Sequence, residues 1–143
     1  ISNVELFKEV REKFLNSMPA LKKVLENCAY QVAKKGTLTL LDGREVPCRA
    51  KHKALNVLIQ GDGAVLMKVS QAIFYKKLEQ KYPEDYSFMV TVHDEWQIEC
   101  NPDIAEEVGK MGCRSITEAA QFLKCNVLME GEYKVGSNWK ECH

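Results

Sequence analysis

From Val4 to about Lys34, apolar residues recur every three or four positions: Val4, Phe7, Val10, Phe14, Met18, Leu21, Val24, Leu25 and Cys28. That spacing places them on one face of an α-helix. Pro19 lacks a backbone N–H and interrupts the pattern, which predicts two helices, with Ser17 available to cap the second and Gly36 to end it. The period then changes to two. Thr37 to Leu41 alternate, Asp42-Gly43 is a turn dipeptide, and Val46 with Cys48 resumes extended chain, so a β-hairpin is predicted.

A second helical pattern runs from about Lys51 to Lys81. At ~100° per residue, Leu55, Ile59, Leu66, Val69 and Ile73 fall in one sector and form the predicted buried face. His52, Asn56 and Gln60 lie at i, i+4 and i+8 as an uncharged polar stripe beside it. Asp62 projects into the middle of the apolar sector. Burying an unpaired carboxylate costs several kcal/mol, so a helix distorted at Gly61 and Gly63 is expected there.

Tyr82-Pro83-Glu84-Asp85 closes this helix. Phe88 to Val92 alternate as a strand, His93-Asp94-Glu95 forms a turn, and Trp96 to Cys100 return. Asn101-Pro102 is a helix start, a capping side chain followed by proline at the first position, and predicts a helix to about Lys124, weakened by Gly109 and Gly112. Short strands are predicted at Cys125 to Met129 and Tyr133 to Val135. The elements describe an α+β fold of antiparallel β-hairpins packed against long helices.

At 143 residues, one core and a single module spanning 1–143 are expected. Twenty Lys+Arg balance twenty Asp+Glu, so attraction to nucleic acid has to come from local patches. The six cysteines form neither a C-x-x-C pair nor a Cys/His cluster, which argues against structural zinc and fits free thiols in a reducing, cytoplasmic setting. No stretch approaches the ~20 apolar residues of a membrane span. The sequence opens on Ile1 without an initiator methionine, which is read as the mark of a fragment.

The chemistry concentrates in "VTVHDEWQI", Val90 to Ile98. Two carboxylates side by side on a tight turn repel one another and favour a divalent cation that neutralises both, and oxygen donors suit Mg²⁺. Such an ion completes its shell with waters and substrate phosphates, as in two-metal phosphoryl transfer. A lone H-D-E tripeptide is also what a solvated turn looks like, so the motif by itself does not decide between the two.

Four stretches taken together are more specific: "LDGREV", "HKALNVLIQGDGAVLMK", "VTVHDEWQIEC" and "KVGSNWKECH". In order and spacing they resemble the C-terminal palm part of family A DNA polymerases, most closely the replicative polymerases of short-tailed bacteriophages. The resemblance covers about Lys35 to His143, with 1–34 a helical lead-in. It implies that Asp94 and Glu95 are the metal carboxylates of the palm, with Mg²⁺ as cofactor, and that His93 contacts phosphate near the primer end. It implies too that His52, Asn56 and Gln60 read the minor groove of primer-template DNA, where acceptors are common to all base pairs. Arg44 and Lys51 are candidate contacts to backbone phosphate. The similar tail implies a fold-back that would bring His143 near the active site.

The family also needs a second metal-binding aspartate and a fingers helix that holds the deoxynucleoside triphosphate, and neither motif is in this sequence. The expectation is therefore a fragment or split subunit of a DNA-directed DNA polymerase, inactive alone and completed by an upstream fragment carrying those parts. Its setting would be the host cell cytoplasm if phage-encoded. The alternatives left open are a non-catalytic duplex DNA-binding module, a metal-dependent phosphohydrolase and a structural oligomerisation domain.

Overall fold

A computed structural model describes residues 3–142. The chain divides into two compact units, Ile1–Gly61 and Asp62–His143. His143 lies outside the described residues, so its predicted approach to the active site does too.

In the first unit, helices α1 (Asn3–Ser17) and α2 (Pro19–Lys35) are separated where the proline requires. Ser17 is not the cap. Its hydroxyl donates back to Phe14 O at 2.7 Å, and Met18 takes the N-cap position without a side-chain bond. Proline at the first helical position lacks one of the N–H groups that a helix start leaves unsatisfied. Gly36 ends α2 in the left-handed conformation, φ 70°, its N–H bonded to Val32 O.

Strands β1 (Thr37–Thr39) and β2 (Glu45–Pro47) pair antiparallel, Leu38 opposite Val46. Leu40 and Arg44 close the connecting turn, which carries Gly43 at φ 85°. Leu38 and Cys48 pack with Cys28 and Val32 of α2 and with Ala54, the first residue of α3 (Ala54–Lys81), forming this unit's core. Helix α1 contributes no buried residue, and Val4, Phe7, Val10 and Phe14 are exposed.

Helix α3 is preceded by a short 3-10 turn, Lys51–Lys53, so His52 precedes the α-helix proper. The predicted distortion at Gly61 and Gly63 does not occur: α3 is unbroken through both. Asp62 is only partly buried and is not without a partner, which removes the reason for a distortion. Gly61 serves packing instead, since a Cβ there would sit 2.7 Å from the Leu40 side chain. Of the predicted buried face, Leu66 is buried, and Leu55, Val69 and Ile73 are partly so. Ile59 is 57% exposed, contrary to expectation, because this unit's core engages Val57 and Leu58 on α3 and leaves Ile59 outside.

The second unit pairs the ribbon β3 (Tyr86–Val92) and β4 (Glu95–Cys100) with the later turns of α3 and with α4 (Ala105–Phe122). Phe74 and Leu78 of α3 are almost fully buried with Val108 of α4, and Phe88, Trp96 and Ile98 of the ribbon pack on them. The Phe74 and Phe88 rings meet edge to face at 5.7 Å. Gly112 allows this packing, because a Cβ at that position would come within 3.2 Å of Phe74.

Asn101 caps the predicted helix start, its side chain accepting from Asp103 N at 3.1 Å. The chain turns first as a 3-10 segment, Pro102–Ile104, and α4 then runs to Phe122, close to the predicted end. The two strands predicted after it are absent among the described residues. Residues 125–135 are irregular, tied to α4 by Thr117 Oγ1 donating to Met129 O and Tyr133 OH donating to Glu106. Strand-forming side chains need a neighbouring strand, and no strand among the described residues pairs with this segment. A short helix, α5 (Trp139–Cys142), follows. Among the described residues no cysteine is in a disulfide, and no helix is long and apolar enough to cross a membrane.

Candidate metal and nucleic-acid site

The ribbon's register decides where its turn points its side chains. Tyr86 pairs with Cys100 and Phe88 with Ile98, and these four face the core. A bulge at Met89 then shifts β3 by one residue, so that Thr91 pairs with Trp96 while Val90 pairs with Gln97 and Val92 with Glu95. A bulge of this kind re-aims every following side chain. Thr91 thereby joins the inward face, and its hydroxyl accepts from Gln71 Nε2 of α3 at 3.2 Å. Val90, Val92, Glu95 and Gln97 share the opposite face.

Two residues make the turn. His93 adopts φ 51°, a left-handed conformation uncommon outside glycine although histidine is among the residues enriched in it. Such outliers persist where surrounding structure holds them, here a ribbon anchored on Phe74 and Trp96. Asp94 is exposed, and its side chain has no hydrogen bond or ion pair with any described residue. Glu95 differs: it is partly buried and accepts a hydrogen bond from Gln97 Nε2. Beneath the turn, the indole N–H of Trp96 is buried without an acceptor among the described residues.

The donor chemistry fits a hard divalent cation in part. Asp94 and Glu95 supply adjacent carboxylates on a rigid ribbon end, as Mg²⁺ coordination asks. Among the described residues no group of three or more His, Cys, Asp or Glu side chains could hold a metal ion, so the described chain offers two protein ligands and not a closed cage.

The predicted nucleic-acid residues belong to the first unit. His52 sits on the 3-10 turn and Asn56 and Gln60 one turn apart on α3, all three exposed. Lys51 is exposed as well, without an ion pair among the described residues. Arg44 is committed elsewhere. Its guanidinium lies 2.6 Å from Asp42, whose oxygens also accept from the Arg44 backbone N–H, and this arginine holds the Asp42 carboxyl below its ordinary range. The structure thus places His93 and Asp94 on the turn and Glu95 at the first position of β4. Sequence reading missed Gln97 and the Gln71–Thr91 bond. The first was accessible, since residues two apart on a strand share a face; the second depends on the bulge, which no glycine announces.

Comparison with known proteins bears on what this turn belongs to. Residues 3–141 match the profile of DNA polymerase family A. The chain belongs to that family. It is 30% identical to the DNA-directed DNA polymerase of Enterobacteria phage T3 and 29% identical to that of Escherichia phage T7, over 95% of this chain and 22% of each relative. It is 31% identical to DNA polymerase I of Aquifex aeolicus (strain VF5), over 91% of this chain and 23% of that one. Its fold superposes with a TM-score of 0.72 on the POL domain of Pol1 from M. smegmatis, solved in complex with DNA primer-template and dNTP, at 20% identity over 80% of this chain and 22% of the other. The partial family A polymerase fold expected from the sequence is therefore present, and this chain spans less than a quarter of the length of these relatives.

Proposed function

We propose that this chain is a part of a DNA-directed DNA polymerase and contributes one side of a two-metal nucleotidyl-transfer centre and part of its duplex-binding surface. The observation that carries the reading is the exposed, uncommitted Asp94 carboxylate on the rigid β3–β4 turn, in a chain of this family.

In this reading Asp94 and Glu95 hold Mg²⁺, which supplies charge neutralisation at the reacting phosphate. The primer 3′ hydroxyl loses its proton to solvent water as its oxygen forms a bond to the α-phosphorus of the incoming nucleotide, the bond from that phosphorus to the oxygen bridging to the β-phosphate breaks, and pyrophosphate leaves. His93, beside the carboxylates, donates to a phosphate oxygen near the primer end. Asn56 and Gln60, with His52, donate to minor-groove acceptors, which fixes the duplex without regard to sequence. Lys51 adds a phosphate contact, and Arg44 a weaker one because Asp42 already holds it.

The rest of the centre comes from an upstream polymerase part carrying the second metal-binding aspartate and the fingers helix. Two observations support such a partner: the two-carboxylate donor set is short of a metal shell, and the apolar face of α1 is uncovered. Alone, the chain is inactive. The test is to mix it with a family A polymerase from which the matching segment has been deleted. Template-directed primer extension that requires both components supports the reading. Extension by the isolated chain, or duplex binding without any extension in the mixture, favours the non-catalytic binding module or another chemistry.

A further inference from the structure

Glu95, Gln97 and Glu99 alternate along one face of β4, while Trp96, Ile98 and Cys100 pack into the core. Opposite the first two stand Val92 and Val90, which offer no hydrogen bonds from their side chains. Gln97 is a polar neighbour of Glu95 on this face, and the two are joined by a hydrogen bond from Gln97 Nε2 to Glu95 Oε1. The direction of that bond is fixed by chemistry: an ionised carboxylate only accepts, so the amide must present its NH₂. Both residues are partly buried, whereas Asp94, one position earlier, is exposed and uncommitted.

We propose that Gln97 is a positioning residue for the metal site: it holds the Glu95 carboxylate in one orientation beside Asp94, so that the pair meets a divalent cation without first ordering a long side chain. The inference rests on the metal reading above and deepens it. A free glutamate side chain loses rotamer freedom when it is immobilised, and a donor from the strand takes that loss during folding and not during ion binding. Outer partners of ligating carboxylates act in this way in metal sites generally. Asp94 needs no such aid, having only two side-chain torsions and a place on the turn itself.

The experiment uses Mn²⁺ as a paramagnetic probe on the full ¹⁵N-labelled chain, following broadening of the residue 92–97 amides. Gln97→Met removes the donor at nearly the same volume and is expected to weaken Mn²⁺ affinity at the turn by about tenfold. In a Glu95→Gln background the same change should have no further effect, because Gln97 acts through Glu95. A second readout leaves Gln97 in place: Glu95→Gln should shift the Gln97 side-chain amide resonances, and Asp94→Asn should leave them nearly unmoved. Wild-type affinity in Gln97→Met, or a full tenfold loss that persists in the Glu95→Gln background, overturns the positioning role while the metal reading stands. Broadening at the turn that Asp94→Asn does not reduce, or none in the wild type, overturns the metal reading and this inference with it.

Discussion

Gln71 on α3 donates to Thr91 Oγ1 at 3.2 Å, two residues before the turn that carries Asp94. The bond joins the ribbon's inward face to the helix close to the turn, across from Trp96, which packs on Phe74. Thr91→Val removes the acceptor while keeping the shape. It is expected to cost about 1 kcal/mol of stability and to speed amide exchange at residues 92–95 more than at the far end of the ribbon. Urea denaturation and hydrogen exchange measure both; uniform exchange along the ribbon would show that the bond does not fix the turn.

The left-handed backbone at His93 makes a second prediction. A β-branched residue at φ 51° meets a steric penalty of about 1–2 kcal/mol, so His93→Val should lower stability by that amount. His93→Gly relieves the strain but loosens the unfolded chain, leaving stability within about 1 kcal/mol of wild type. Thermal melts of the two variants separate these outcomes.

Lys51 and Arg44 should differ as phosphate contacts. Lys51 is free to release a counterion on binding, so Lys51→Gln should reduce the slope of log affinity against log salt for a primer-template duplex by about one. Arg44 must first leave Asp42, so Arg44→Gln should change that slope less. Binding titrations across a salt series with the completed polymerase measure both slopes.

Glu107 on α4 accepts hydrogen bonds from Lys81 and from Tyr82 OH at the end of α3, and the lysine first, then the tyrosine, holds its carboxyl below the ordinary value. A depressed folded value means that the stabilisation is present above the unfolded glutamate value of about 4.3 and is lost as pH falls through the folded one. The urea midpoints of wild type and Glu107→Gln should therefore differ at neutral pH and converge in acid. Because the pair is exposed, added salt should also narrow the gap.

What the sequence made legible was local. Pro19, Gly36, Asp42-Gly43 and Asn101-Pro102 act through their own backbone, and each element boundary fell near them. The placement of His93, Asp94 and Glu95 at the end of the ribbon was legible for the same reason, since they are consecutive and follow directly on β3. What depends on distant partners was not. The strands predicted at Cys125 to Met129 and Tyr133 to Val135 need a neighbouring strand that the described residues do not supply, and Ile59 satisfies the helical period but lies outside the core that Val57 and Leu58 join. The bulge at Met89 reverses the faces of the last three residues of β3, and with them the partner of Thr91. Gly112 reads as a weak point in α4 until Phe74 is seen against it.

The central claim is that the β3–β4 turn holds a divalent cation at the reacting phosphate. It is tested most directly by replacing Mg²⁺ with Fe²⁺ in the completed polymerase with primer-template and nucleotide bound, and mapping oxidative backbone cleavage with ascorbate and peroxide. The account predicts cuts flanking residues 92–96 that vanish in Asp94→Asn and survive in a control change of an exposed carboxylate, Glu84→Gln. Cleavage that leaves this turn intact, or that continues undiminished in Asp94→Asn, would contradict it.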